Sequence, residues 1–210
     1  MSTLDFLSPI AADADVVARS PMEALAVDAG ARLEPRDGWN VAVSYPAASF
    51  GESVSWCDTS HLRKLQLQGE LDESLPFGTA VRRDGVWWCR LTAGRALVVG
   101  VRPDVSELPY EVVDVTSVFA SLTIAGPLAR ECLARFCALD LRPSVTPVGA
   151  LRPGSIARQP GTLICEAQDR YLILFGWATA EYVWSVVADA AGHLGGGPVG
   201  IDQLQELSNA

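Results

Sequence analysis

The chain has 210 residues, 49% of them hydrophobic, with 18 Gly and 13 Pro, a composition that builds a substantial core and excludes a disordered or collagen-like protein. Its 16 basic residues against 25 acidic ones leave a formal net charge of -9, a field that repels nucleic-acid phosphates and anionic membrane surfaces. No apolar run approaches the roughly 20 residues of a membrane span, and the acidic opening (Asp5, Asp13, Asp15) lacks the basic segment of a secretory leader.

Residues 1–20 read as an extended arm, rich in Ala, Asp and Val and without steady periodicity. Ser20 and Pro21 supply an N-cap and a first-turn proline for a helix through "MEALAVDAG", closed by Gly30. The following "EPRDGWNVAVSYPAASFGES" reads as a loop. "WCDTSHLRKLQLQG" alternates Leu65 and Leu67 against Lys64, Gln66 and Gln68, which predicts a half-exposed strand. "DGVWWCRLTAGRALVVGV" predicts a hairpin bending at Ala93-Gly94, with Leu97, Val98 and Val99 in a buried return strand.

Ser121 to Ala125 predicts another strand, after which Pro127 opens a helix. Its apolar stripe is Leu128, Cys132, Leu133 and Phe136, and it ends near "ALDLRP". "GTLICEAQDRYLILFG" predicts a second hairpin turning at Gln168-Asp169. "TAEYVWSVVADAAGHLGGG" predicts a helix with Thr179 as N-cap and Glu181 in its first turn. Tyr182, Val183, Val186, Val187 and Ala190 form its expected buried face.

One internal echo organises these elements. "TSHLRKLQLQG" (Thr59 to Gly69) superimposes without gaps on "TSVFASLTIAG" (Thr116 to Gly126), an offset of 57 residues. Two copies do not make a solenoid. They predict an α+β fold of two pseudo-repeated βαβ-type halves with antiparallel sheets, Leu65, Leu67, Leu122 and Ile124 lying on buried faces. A Thr-Ser pair that occurs twice is expected to bond local backbone at the start of each strand rather than to catalyse. Asp114 is expected to bond nearby amides in the same way.

The side chains that could carry chemistry are sparse. Five cysteines, Cys57, Cys89, Cys132, Cys137 and Cys165, are odd in number and set in apolar strings, the pattern of reduced thiols in a cytoplasmic core. With only His61 and His193 beside them, no metal site is expected. Ser60 and His61 are strand neighbours that point apart, and no G-x-S-x-G elbow is present, so no serine nucleophile is expected. The glycines of "HLGGGPVG" follow a helix instead of opening one, which fits a terminator better than a phosphate loop. Of Trp87 and Trp88, one is expected in the core and the other toward a groove or partner.

Five stretches together carry a family resemblance: "RSPMEAL"; "GARLEPRDGWNVAVSY" with "WCDTSHLRKLQLQG"; "VVDVTSVFASLTIAGPLARECLARFCALDLRP"; "RYLILFGWATAEYVWSVV"; and "GPVGIDQL". Over roughly residues 19–204 the chain resembles the folate-binding superfamily of glycine-cleavage aminomethyltransferases. Within it, the chain is most similar to the gamma subunits of heterotetrameric sarcosine oxidases. The resemblance implies one aminomethyltransferase-like domain over residues 21–204 with a short tail at 205–210.

It also marks departures. Where catalytic members carry an Asn-x-x-Gly-Gly-x-x-Asp-Asp segment, this chain has only Thr92-Ala93-Gly94 at a turn. Where they carry Thr-Gly-Tyr-Thr-Gly-Glu, it has "ARQPGTLICEAQDR", retaining Arg158 but no Glu in register. The amide-like edge of a pterin needs a carboxylate partner. The resemblance therefore implies a non-catalytic subunit of a tetrahydrofolate-linked, flavin-dependent oxidase or demethylase of sarcosine or another N-methyl amine. Trp88 and Arg158 are the residues that would line a residual cofactor groove, with tetrahydrofolate as its ligand. FAD, FMN and NAD are expected on larger flavin- and folate-binding partner subunits. The alternative is a stand-alone folate-binding, aminomethyl-transferring protein with an altered site.

Overall fold

The protein's structure, a computed structural model, describes residues 17–46, 53–71, 75–101, 103, 105 and 109–209. Most of the expected N-terminal arm, residues 1–16, lies outside the described residues. Strand β1 (Ala18–Arg19) pairs in parallel with β3 (Trp39–Ser44), which forms an antiparallel hairpin with β2 (Arg32–Arg36). This hairpin corrects the loop expected there. Its turn is Asp37-Gly38, both at positive φ (49° and 79°), and Asp-Gly is the pair that a two-residue hairpin turn selects.

Between β1 and β2, helix α1 (Glu23–Asp28) starts where Ser20 Oγ accepts the Met22 N–H at 3.1 Å. It ends in a Schellman turn, with Ala31 N–H donating to Ala26 C=O and Gly30 N–H to Val27 C=O. Gly30 takes φ +89° there, as expected of a helix-closing glycine.

The remaining strands form two sheets that repeat one plan. Strands β4 (Ser55–Asp58), β5 (Arg63–Gln68), β6 (Ala80–Arg83), β7 (Val86–Thr92) and β8 (Arg95–Gly100) belong to the first half. The second half comprises β9 (Glu111–Asp114), β10 (Phe119–Ala125), helix α2 (Ala129–Ala134), β11 (Leu151–Ile156), β12 (Gln159–Ala167) and β13 (Arg170–Gly176). Helix α3 (Ala180–Gly192), β14 (Gly197–Pro198) and α4 (Ile201–Asn209) follow. The five-stranded sheet has the order β6-β7-β8-β5-β9 and the six-stranded sheet β11-β12-β13-β10-β4-β14. Each half therefore lends its first strand to the other half's sheet: β4 pairs with β10, and β9 with β5, both antiparallel. The fold is α+β with mostly antiparallel sheets. Within these two halves, among the described residues, a helix joins strands only in the second, at β10-α2-β11.

The two sheets face each other across a core containing Trp87, Leu97 and Val99 from one and Ile164, Leu172 and Leu174 from the other. The far face of the six-stranded sheet is covered by α1, α2 and α3, burying Leu122, Ile124, Ile173 and Phe175. On the far face of the five-stranded sheet Leu65, Leu67 and Val98 are buried. Each such aliphatic or aromatic side chain contributes about 1.5–3 kcal/mol when fully buried. The four residues expected on buried faces are there, at pseudo-equivalent places in the two halves.

Several local expectations change on contact with the tertiary structure. Helix α2 stops at Ala134 because the chain is drawn toward β11, where Cys137 bridges Ile156 and Ala138 N–H reaches Ser155 C=O. Thr179 precedes α3, but its hydroxyl donates to Gly176 C=O at 2.9 Å and caps no helix amide. In α3 the buried face is Val183, Trp184, Val187 and Ala190, while Tyr182 is exposed and Val186 half-buried. The expected boundary at 204 falls within α4, which docks on the β2–β3 hairpin through Arg36–Asp202 and through Gln203 Oε1, the acceptor of the Tyr45 N–H.

Candidate functional site

The two crossing strands meet at a polar knot. Asp58 Oδ1 accepts the Ser60 N–H and Asp114 Oδ1 accepts the Thr116 N–H, both at 2.9 Å. These are paired Asx turns two residues long. From there Ser60 Oγ accepts the Ser121 N–H at 3.1 Å and Thr116 Oγ1 accepts the Lys64 N–H at 3.0 Å. Thr59 N–H donates to Ser121 C=O, and Val115 N–H to Lys64 C=O.

The pattern sets the true register of the pseudo-repeat. In the turns Asp58 matches Asp114 and Ser60 matches Thr116, an offset of 56, whereas in the strands Leu65 matches Leu122, an offset of 57. The second half carries one extra residue between turn and strand. A gap-free alignment therefore mispairs the turn: the mate of Ser60 is Thr116, not Ser117. Ser117 is exposed, and among the described residues its hydroxyl bonds nothing. The expectation holds for Asp114 and Thr116 and fails for Ser117.

Beside the knot lies an open groove of about 950 Å³, lined by Trp39, His61, Arg63, Val101, Asp114, Ser117 and Val118 among others. Trp39 packs against Trp177 with ring centroids 6.1 Å apart, and Arg63 pairs with Asp114 at 3.0 Å across the rim. Burial pulls the Asp114 carboxyl upward, but hydrogen bonds from Thr116 and Arg63 outweigh it and hold it below the ordinary carboxylate range. Burial, with the nearby Lys64 charge, depresses the His61 imidazole to about 4, so it is neutral at physiological pH. Among the described residues the groove thus offers aromatic and aliphatic contact area with a paired rim and a neutral imidazole.

Beneath it, Lys64 is fully buried, its Nζ donating to Ser60 C=O at 2.7 Å. Burial depresses this amine to about 7, against the pull of Asp58 and Asp114. The Asp58 carboxyl, also buried, is raised by desolvation despite hydrogen bonds from Ser20 and Ser60. Sequence alternation placed Lys64 on an exposed face. The signal for its burial was absent from β5 itself, because the second sheet packs on the face that Lys64 shares with Val99 of β8.

The expected cofactor residues stand apart from this groove. Trp88 is half-buried in the cluster with Leu65, Leu67 and Val98, on the outer face of the five-stranded sheet. Its neighbour Trp87 points between the sheets, where its Nε1 donates to Glu166 Oε1 at 2.7 Å. Arg158 is exposed at the β11–β12 turn in the other sheet. Neither Trp88 nor Arg158 lines the groove. Glu166 escaped the sequence reading because only the packing of one sheet on the other brings it to Trp87. Its second oxygen accepts Arg170 Nε at 2.9 Å. Both oxygens are thus engaged, in a space already packed by Trp87, Leu97 and Leu172. These residues do not fit a pterin held between the sheets of this chain. All five cysteines are free and buried, and among the described residues no His, Cys, Asp and Glu cluster could hold a metal.

Residues 94–193, from the β7–β8 turn through α3, match the model of one protein family. That family is the sarcosine oxidase gamma subunit family. The matched stretch contains β9, Thr116 and the Val118 wall of the groove. Heterotetrameric sarcosine oxidase from Corynebacterium sp. U-96, in complex with pyrrole 2-carboxylate, contains a chain of similar fold. The TM-score is 0.66 at 18% identity, covering 84% of this chain and 95% of that one. The glycine cleavage system aminomethyltransferase T from Bartonella henselae is similar with a TM-score of 0.71 at 15% identity, covering 91% of this chain but 62% of that one. At these identities the two likenesses establish the aminomethyltransferase-like fold. No curated protein sequence matches the chain. Among the described residues no helix is long and apolar enough to cross a membrane.

Proposed function

We propose that the chain is the gamma-type, non-catalytic subunit of a heteromeric, tetrahydrofolate-linked flavin oxidase or demethylase of sarcosine or a related N-methyl amine. The observation that carries this reading is the gamma subunit family match over residues 94–193. The fold likeness to a chain of a heterotetrameric sarcosine oxidase supports it. So does the crossing site, whose hydroxyls and carboxylates are bound to backbone and to Arg63. In this reading the subunit packs against a larger cytoplasmic subunit, and FAD, FMN, NAD and tetrahydrofolate belong to the partners. Trp88 and Arg158 then serve packing and turn geometry instead of cofactor binding.

The test is co-expression with candidate large flavin-containing subunits from the same source. A stoichiometric complex that oxidises sarcosine, and that loses this chain only with loss of assembly, is the expected result. A second reading, a stand-alone folate-binding aminomethyl-transfer protein, draws on the likeness to aminomethyltransferase T. It requires the isolated chain to bind tetrahydrofolate with micromolar affinity, about -8 kcal/mol, in calorimetry.

A further inference from the structure

The pseudo-symmetry leaves one position filled in one half and open in the other. Strand β4 is buried at all four residues. Its outer edge is taken by β14 in parallel, with Gly197 N–H donating to Val54 C=O at 3.3 Å and Val199 N–H to Trp56 C=O at 2.9 Å. Val199 and Leu204 cover Cys57, which has no exposed surface. Strand β9 is the pseudo-equivalent of β4, yet all four of its residues are exposed. It ends its sheet, and nothing among the described residues pairs with its outer edge. Val113 stands where Cys57 stands in the other half and is 45% exposed.

Backbone alternation fixes what this edge offers. Val115 N–H bonds Lys64 C=O, so Val113 and Glu111 point their peptide groups at β5, while Val112 and Asp114 point theirs outward. Soluble proteins blunt such edges with short strands, charges, Pro or a bulge; β9, Glu-Val-Val-Asp, has an acid at each end but no Lys, Pro or bulge beside its aliphatic centre.

We propose that the outer edge of β9 is the docking site for an extended segment of the large partner subunit, adding in parallel as β14 adds to β4 and setting an aliphatic side chain over Val113. A second copy of this chain is the poorer occupant. Antiparallel pairing of β9 with itself brings two strands that each carry Glu111 and Asp114 edge to edge, between chains of net charge -9. The same acids favour a segment with basic residues flanking its aliphatic centre. The inference rests on the gamma-subunit reading for the identity of the partner.

The experiment co-expresses the full-length chain with the large flavin-containing subunit and measures their affinity together with amide exchange at Val112 and Asp114. Val112→Pro removes an outward N–H without touching the β5 ladder, and Val113→Lys puts a charge into the aliphatic seat. Each is expected to weaken assembly about a hundredfold with an unchanged melting temperature. Phe77→Asp, at a more exposed apolar residue next to β6 on the opposite edge of the sheet, leaves affinity unchanged. The Val112 and Asp114 amides become protected in the complex. Wild-type assembly by both β9 variants, or unprotected amides in the complex, overturns the docking site alone. Failure of the wild-type chain to assemble overturns this proposal and the subunit reading together. Self-association abolished by Val112→Pro assigns the edge to a second copy and overturns the heterologous strand.

Discussion

The backbone N–H of Lys64 is held by the hydroxyl of Thr116 from the other half of the molecule, at 3.0 Å. Its mirror is the Ser121 N–H held by Ser60, so each half's turn anchors the other half's strand. Thr116→Val leaves the buried Lys64 amide without its partner and should cost about 1–3 kcal/mol. Ser117→Ala, at the exposed and unbonded neighbour, should stay within about 0.5 kcal/mol of wild type. Thermal and urea unfolding of the two variants checks this. Equal losses would mean that the turn is not built by Thr116.

How much of this the sequence carries depends on which interactions are local. The Gly closing each echoed strand is legible, because Gly69 and Gly126 both take positive φ (146° and 117°). At Gly126 a Cβ would also meet the Ser53 carbonyl at 2.5 Å. The hairpin turns at Ala93-Gly94 and Gln168-Asp169 are legible too, because small and polar turn residues stand between two apolar runs. The exchange of β4 and β9 between sheets is not, since strand pairing over more than forty residues leaves no periodic signature. It follows that the burial of Lys64 and the one-residue slip between the Asx turns and the strands were illegible too.

The buried Lys64 makes stability depend on pH in a defined direction. Its folded pKa of about 7 lies below its unfolded value of about 10.4. Between these values the unfolded chain binds more protons, so stability rises with pH across that window, and the penalty is fully present below about 7. His61, depressed to about 4, adds a rise of the same sign between about 4 and 6.5. Denaturant midpoints should therefore climb from pH 7 to pH 9.5 in wild type and run flatter in Lys64→Met. Parallel profiles would exclude Lys64 as the source.

Glu166 joins Trp87 to Arg170 at the rim of the core between the sheets. Glu166→Ala strips the Trp87 indole N–H of its acceptor and should destabilise the chain by about 1–3 kcal/mol. In a double-mutant cycle with Trp87→Phe, the two losses should be non-additive by at least about 0.5 kcal/mol. Tetrahydrofolate should not shift the melting temperature of either the variant or the wild type. A folate-dependent rise in the wild type that Glu166→Ala abolishes would make Glu166 a ligand residue.

Arg158 tests the difference between a turn residue and a cofactor contact. Ala157 and Arg158 form the two-residue β11–β12 turn at φ 48° and 62°, a left-handed pair with neither Gly nor Asn to relieve it. Ala157 is buried, with its N–H on Phe136 C=O, which commits the turn to this geometry. The exposed Arg158 guanidinium makes no hydrogen bond or ion pair among the described residues. A non-glycine residue in this region costs about 1–2 kcal/mol, against about 0.5–1 kcal/mol of extra backbone entropy lost by glycine. Arg158→Gly should therefore stabilise the chain by up to about 1 kcal/mol, a rise of roughly 2–4 °C in Tm for a protein of this size. Assembly with partner subunits should be unaffected. A variant that is more stable but assembles or turns over poorly would restore Arg158 as a functional contact, because relief of turn strain cannot by itself weaken a complex.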